Sequence, residues 1–130
     1  MNKSSIKNLA RKVPAPLIAL ALFILSSQST LPLPPTPLIG VDKIAHFIAY
    51  GALAFAIALM FPLHWWKKPL KTALIAITIA SFYGITDEIH QSFVPGRDTS
   101  IADWVADTLG ALCGTAFYYV VFVKKRVRKE

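Results

Sequence analysis

The chain has 130 residues and a formal net charge of +7; 55% of its residues are apolar and only 16% are charged. Soluble domains carry about 25% charged residues. A soluble protein this small could not bury so much apolar surface, so the composition excludes an ordinary soluble domain and leaves room for one domain over residues 1–130. The single cysteine, Cys113, excludes an internal disulfide and a cysteine-based zinc site, and its apolar neighbours predict a small buried side chain.

Four apolar stretches follow one another along the chain, at about residues 13–31, 44–61, 72–91 and 101–123. Each is long enough to cross a hydrocarbon core of about 30 Å as a helix. A proline-rich segment, a basic aromatic loop and a Pro-Gly loop separate the stretches. The sequence therefore predicts an all-α membrane protein in which four transmembrane helices form a bundle.

The basic residues predict the orientation of these helices. Twelve of the fourteen Lys and Arg residues lie in the N-terminal segment, in the loop between the second and third stretches, and in the C-terminal tail. Four crossings place all three groups on one side, which the positive-inside rule makes cytoplasmic. Both termini are therefore predicted to be cytoplasmic, and the positive charge indicates topology rather than nucleic-acid binding. Trp65 and Trp66, beside this loop's lysines, are predicted to belong to the interfacial aromatic belt.

The first stretch has an alternative interpretation as a secretory signal peptide. Basic residues precede an apolar core at residues 17–25, and the small residues Ser27 and Ser29 follow it. Cleavage there would leave three spans with their orientation unchanged.

The four-span topology gathers carboxylates on the outer side. Six acids lie there against two fixed cations, Lys43 and Arg97, which leaves an excess of four negative charges. Carboxylates crowded near an apolar medium must be protonated, paired with a cation or neutralised by a ligand. By their positions along the helices, four side chains should lie below the membrane surface: His46, Asp87, Glu88 and Asp107. Ionisable groups at that depth indicate a functional site.

Helical spacing assigns these residues to faces. Three spans carry polar stripes, which are Asp42-His46-Tyr50, Tyr83-Asp87-Gln91 and Asp103-Asp107 continuing into Gly110 and Gly114. Small residues also line the second span at positions 45, 49, 52 and 56. Small residues allow membrane helices to approach closely, so the polar ends of the stripes should converge near the outer surface.

Two of these acids also have plausible structural roles. Asp42 precedes the second stretch and is a candidate N-cap of that helix. The segment from Ser100 to Asp103 has the pattern of a capping box at the start of the fourth helix. Capping does not explain Asp87, Glu88 or Asp107 in the same way.

Two sequence blocks resemble the VanZ-like family of membrane proteins, which is named for a teicoplanin-resistance determinant. The first block is Asp42-Lys43-x-x-His46-Phe47-x-x-Tyr50; the second runs from Asp87-Glu88-x-x-Gln91 through Pro95-Gly96-Arg97 and Ser100 to Asp103, Gly110 and Gly114. The resemblance implies a small multi-pass protein of the bacterial cytoplasmic (inner) membrane. Its motif implies nine candidate site residues: Asp42, Lys43, His46, Tyr50, Asp87, Glu88, Gln91, Arg97 and Asp103. Asp107, where many family members carry Asn, joins them on grounds of depth.

Three functions are compatible with such a site. The first is to bind or modulate a lipid-linked or cell-wall component, with a link to glycopeptide tolerance; Arg97 would hold a phosphate or carboxylate. The second is a membrane-embedded hydrolase or transferase, acting on a lipid-linked phosphate or glycan. Such an enzyme could use a divalent cation held by residues drawn from His46, Asp87, Glu88 and Asp107. Without a metal, Glu88 or Asp87 could serve as general acid or base beside His46. The third is a proton-coupled transport subunit. The expected partners are the lipid bilayer and an envelope precursor or glycopeptide; no organic cofactor signature is present.

Overall fold

The computed structural model describes residues 2–30 and 40–129, and within these ranges the chain is helical with no strand. The helices are α1 (Lys3–Lys12), α2 (Pro14–Ser26), α3 (Val41–Met60), α4 (Pro69–Gln91), α5 (Ile101–Tyr118) and α6 (Lys124–Val127). A 3₁₀ turn at Leu63–Lys67 joins α3 to α4, and a π-helical segment at Tyr119–Val123 joins α5 to α6. The predicted all-α fold is confirmed.

Four helical stretches are long and apolar enough to cross a membrane: Asn8–Ser26, Val41–Met60, Pro69–Gln91 and Ile101–Val127. Their number agrees with the prediction, but their bounds differ. The first stretch ends at Ser26; the end predicted for it, residue 31, lies outside the described residues. The second and third begin three residues earlier than predicted. The third stretch can begin at Pro69 because proline has no backbone N–H, and the N–H groups in the first turn of a helix have no partner within the helix.

Helices α3 and α5 form the most extensive helix pair in the described part of the chain. Gly110 and Gly114 make their contact possible. A Cβ atom on Gly110 would overlap the backbone carbonyl of Phe47, and one on Gly114 would overlap the carbonyl of Gly51. Packing replaces the missing hydrophobic drive between helices in lipid, so this close backbone contact favours the association of α3 with α5.

Side chains at the basic end of the bundle close the ends of the helices. The guanidinium of Arg11 donates to the carbonyl oxygens of Leu59 and Phe61, at 3.1 and 3.0 Å, and so satisfies acceptors that the end of α3 leaves free. Trp65 is 43% exposed, as a belt residue should be, but Trp66 is only 1% exposed. The ring of Trp66 packs against Tyr118 and Tyr119 and so does not face the lipid as a belt residue is expected to.

The first span is hydrogen-bonded to the third. The hydroxyl of Tyr83 donates to the carbonyl oxygen of Ala19 at 2.7 Å, and the hydroxyl of Ser27 lies 2.9 Å from Nε2 of His90. A mature chain without the first span would lose both contacts.

The prediction that Cys113 is buried is wrong: its side chain is exposed, beside Gly110 and Gly114 in the groove between α3 and α5.

Replacing Gly114 by alanine should destabilise the bundle by about 1–3 kcal/mol, because the added methyl group forces α5 away from the carbonyl of Gly51. Thermal unfolding of the purified protein in detergent would measure the loss. Ala116→Val is the matched control, since Ala116 is exposed on the same helix. Equal losses in the two variants would show that the close contact does not hold α3 and α5 together.

Candidate functional site

The predicted polar residues lie at one end of the bundle because of its up-and-down connectivity. The first turns of α3 and α5 carry Asp42 and Asp103, and the last turns of α4 carry Asp87 and Glu88. Consecutive spans run in opposite directions, so these three helix ends meet on the same side. The basic loop and tail lie at the opposite end.

The centre of this region is a pair formed by His46 of α3 and Asp107 of α5. Nδ1 of His46 lies 2.9 Å from Oδ1 of Asp107, and the Asp107 side chain is fully buried. The ring of Tyr50 stacks on that of His46, with centroids 6.3 Å apart. Asp107 sits where α4 passes close to α5, because a Cβ on Gly84 would lie 2.9 Å from Oδ2 of Asp107. Glycine at position 84 therefore makes room for the carboxylate.

Lys43 joins the first turns of α3 and α5. Its ammonium group lies 2.8 Å from Asp42 and 3.0 Å from Asp103. Asp42 is half exposed and Asp103 is buried. The predicted N-cap role of Asp42 is wrong, because α3 begins one residue earlier, after Gly40 in a left-handed conformation. Asp42 lies in the first turn instead, where a negative charge is favourable.

Ser100 caps α5, but its partner comes from another helix. The side chain of Ser100 accepts a hydrogen bond from the backbone N–H of Asp103 at 3.2 Å, as the predicted capping box requires. In a complete box, the acid at position 103 would accept the N–H of Ser100. That N–H donates instead to Oε2 of Glu88 at 3.1 Å. Glu88 thus ties the end of α4 to the start of α5.

A relay of hydrogen bonds connects Arg97 to Asp87. Nη2 of Arg97 donates to Oε1 of Gln91 at 2.9 Å, and Nε2 of Gln91 donates to Oδ2 of Asp87 at 3.0 Å. Asp87 and Gln91 are buried, whereas Arg97 is partly exposed. The amide of Gln91 therefore holds the guanidinium in one orientation at the end of α4.

Three buried oxygen atoms in this region have no hydrogen-bond partner among the described residues: Oη of Tyr50, Oε1 of Glu88 and Oδ2 of Asp107. An unsatisfied buried acceptor costs about 1–3 kcal/mol, and more if it is charged. One donor atom each from His46, Glu88 and Asp107 also lie within 4.8 Å of one another, a spacing that could hold a metal ion. Asp87, the fourth candidate ligand from the sequence, lies outside this group.

The candidate residues surround two hollows rather than one. A hollow of about 210 Å³ lies between α2, α3 and α4, and Asp42, His46, Tyr50, Asp87, Gln91 and Arg97 line it. A second, of about 390 Å³, lies between α4 and α5 and includes Glu88 and Ser100. The expected meeting of acids, imidazole and guanidinium holds only in part: of the three deep acids, Asp87 lines the first hollow, Glu88 opens into the second, and Asp107 lines neither. Neither hollow includes Lys43 or Asp103 in its lining.

The sequence did not predict that α2 lines the first hollow, nor that a polar contact joins α4 and α5 within their apolar segments. Leu22, Leu25 and Ser26 complete the first hollow, but the apolar sequence of α2 gives no signal of this. Ser81 and Thr108 lie 2.8 Å apart between α4 and α5, and the indole of Trp104 donates to Ser81. The hydroxyl residues within apolar spans were the available signal for that contact.

Four membrane-spanning helices with an ionisable cluster at one end define this chain as a multi-pass membrane protein with a polar site. The sequence profile of the VanZ/LLP1 family matches residues 3–123, and the chain belongs to that family. No curated protein and no solved structure matched the chain.

Replacing His46 by alanine should destabilise the protein by about 3–5 kcal/mol, because it leaves the buried carboxylate of Asp107 without its partner. The double variant His46→Ala/Asp107→Asn should recover much of that loss. Unfolding in detergent across the four proteins of this double-mutant cycle gives the coupling energy. Asp42→Ala is the control and should cost at most about 1 kcal/mol, since Asp42 is half exposed. Additive losses would contradict the pairing of His46 with Asp107.

Proposed function

We propose that this protein is a cell-envelope protein of the bacterial cytoplasmic membrane that binds the anionic headgroup of a lipid-linked envelope component in its first hollow. The chain forms a single membrane domain, and the hollow faces away from the cytoplasm. The orientation of Arg97 at this hollow is the observation that carries the proposal. A link to glycopeptide tolerance would follow if the bound component were a cell-wall precursor.

The charge of Arg97 is available to a ligand. No carboxylate among the described residues lies within ion-pair distance of its guanidinium, although six acids lie in the same region. Its hydrogen bond with Gln91 uses one donor group and leaves others. A guanidinium matches phosphate and carboxylate groups with two parallel hydrogen bonds. An amphiphile whose phosphate lies at the membrane surface fits this position.

The size and walls of the hollow limit the ligand. At about 210 Å³ it is smaller than the roughly 300–1,000 Å³ of sites that enclose a whole drug-sized molecule. It therefore suits one headgroup rather than a complete glycan and peptide. Leu22, Leu25, Ala45 and Ala49 form apolar walls against which an acyl or polyprenyl chain can lie. Asp42, on the same lining, favours a headgroup that also carries an amine or hydroxyl donor.

Hydrolysis or transfer at such a headgroup is a second candidate function. The closeness of His46, Glu88 and Asp107 favours it, because two carboxylates and an imidazole can supply general acid–base groups or hold a cation. Release of phosphate from a polyprenyl diphosphate by the purified protein would identify this activity. Loss of release in Glu88→Gln, with headgroup binding retained, would assign the chemistry to the cluster.

The orientation can be tested with single cysteines in a Cys113→Ser background. Asp98→Cys, in the exposed loop between α4 and α5, should react with a membrane-impermeant maleimide in intact spheroplasts. Lys129→Cys should react only after permeabilisation, because the positive-inside rule places the tail in the cytoplasm. The reverse pattern would place the hollow on the cytoplasmic side and contradict the proposal.

Arg97→Ala should weaken binding of polyprenyl phosphate at least tenfold in lipid nanodiscs, and Arg97→Lys should restore only part of it, since an ammonium cannot donate two parallel bonds. Binding is measured by titrating the labelled lipid. Polyprenol, which lacks the phosphate, is the ligand control. Arg128→Ala at the opposite end of the bundle is the protein control, and it should bind as the unchanged chain does. Equal binding of the two lipids would refute a site for the phosphate group.

A further inference from the structure

The two unpartnered carboxylate oxygens beside His46 point to a ligand that the hydrogen bonds of the site do not supply. We propose that His46, Glu88 and Asp107 form a binding site for one divalent transition-metal ion at the junction of α3, α4 and α5. The headgroup-binding proposal does not require this ion, whereas a metal-dependent hydrolase would.

The three donors come from three different helices and already lie close together. One donor atom of each residue lies within 4.8 Å of the other two. Donors bound tetrahedrally to one ion at about 2.0–2.1 Å are separated by roughly 3.4 Å. Because the donor atoms lie at most 4.8 Å apart, an ion would have to draw the side chains together by no more than about 1.4 Å. Glu88 is only partly buried and has a flexible side chain, so it can make most of this movement.

The hydrogen bonds around the cluster leave acceptors free on the two acids. Oε2 of Glu88 accepts the N–H of Ser100 and Oδ1 of Asp107 faces His46, but Oε1 of Glu88 and Oδ2 of Asp107 are buried without a partner in the described chain. Lys43, the nearest lysine on α3, is paired with Asp42 and Asp103. A divalent ion would offset the charge of both carboxylates at once, which one further hydrogen bond cannot do.

The donor set also indicates which ions would bind. Imidazole nitrogen suits zinc and other transition metals, and carboxylates suit manganese as well as magnesium and calcium. One imidazole with two carboxylates therefore favours zinc or manganese over ions that prefer oxygen alone. Three protein ligands leave a coordination position open, as in catalytic zinc sites. Glu88 lines the hollow of about 390 Å³ between α4 and α5, which gives water or substrate a route to that position.

Asp87 serves as an internal contrast. It is adjacent to Glu88 in sequence and is buried, yet its Oδ2 accepts a hydrogen bond from Gln91 and it lies outside the cluster. The proposal therefore separates two neighbouring acids that the sequence presents as equivalent ligands.

The test is metal binding by the full-length protein in detergent or nanodiscs, with zinc or manganese alone as the probe. After equilibration and removal of free metal, mass spectrometry should find one ion per chain. Manganese titrations followed by electron paramagnetic resonance would give the dissociation constant. His46→Gln, Glu88→Gln and Asp107→Asn should each weaken binding at least tenfold. Asp98→Asn, which removes an exposed acid from the outer loop, should leave it unchanged.

The partial exposure of Glu88 keeps the test informative if a buried variant fails to fold. Glu88→Gln should still fold, and its loss of the ion alone would support the site. Asp87→Asn should retain the ion. The proposal is overturned if the unchanged protein binds no stoichiometric metal. It is also overturned if Glu88→Gln binds as tightly as Asp98→Asn does, or if Asp87→Asn loses the ion while Glu88→Gln keeps it.

Discussion

The backbone contact between α3 and α5 is the constraint on which the rest of the bundle depends. Gly110 and Gly114 bring α5 against the carbonyl groups of Phe47 and Gly51, closer than any side chain would allow. One turn nearer the polar end, the same approach places His46 within hydrogen-bond distance of Asp107. The carboxylate of Asp107 is fully buried, so a separated pair would leave it without a partner at a high energetic cost. Helix packing thus sets the geometry of the polar site.

The outer acids are largely satisfied inside the protein, by an ammonium group, a side-chain amide and a backbone N–H. Lys43 pairs with Asp42 and Asp103, Gln91 donates to Asp87, and the backbone of Ser100 donates to Glu88. Lys43 connects α3 to α5 and the backbone N–H of Ser100 connects the start of α5 to α4, whereas the bond from Gln91 to Asp87 lies within α4. The excess of negative charge seen in the sequence is therefore distributed over several small networks. What remains unsatisfied is concentrated on two oxygens, at Glu88 and Asp107.

Much of the fold could be predicted from the sequence, because crossing a membrane leaves few alternatives to long apolar helices. Residue roles were harder to predict where they depend on tertiary contacts. Asp42 precedes an apolar run and looked like a cap, yet α3 starts earlier, at Val41, after a left-handed Gly40. The sequence correctly predicted that the Ser100 side chain accepts the N–H of Asp103. The N–H of Ser100, however, donates to Glu88 of another helix. Ala45, part of the predicted packing stripe, instead lines the hollow with Leu22 of α2.

The distinction between Asp87 and Glu88 shows why local pattern is insufficient for the site. Adjacent residues on a helix point about 100° apart, so the two acids face different neighbours. Asp87 faces Gln91 and the hollow that Arg97 closes, whereas Glu88 faces α5 and its cap. Two acids that are adjacent in sequence therefore have different surroundings on a single helix. The spacing of four residues places Asp87 and Gln91 on one face of α4. Only the position of α5 determines that Glu88 lies close to His46 and Asp107. This rotation separates the carboxylate that accepts a hydrogen bond from Gln91 from the one left with a free oxygen.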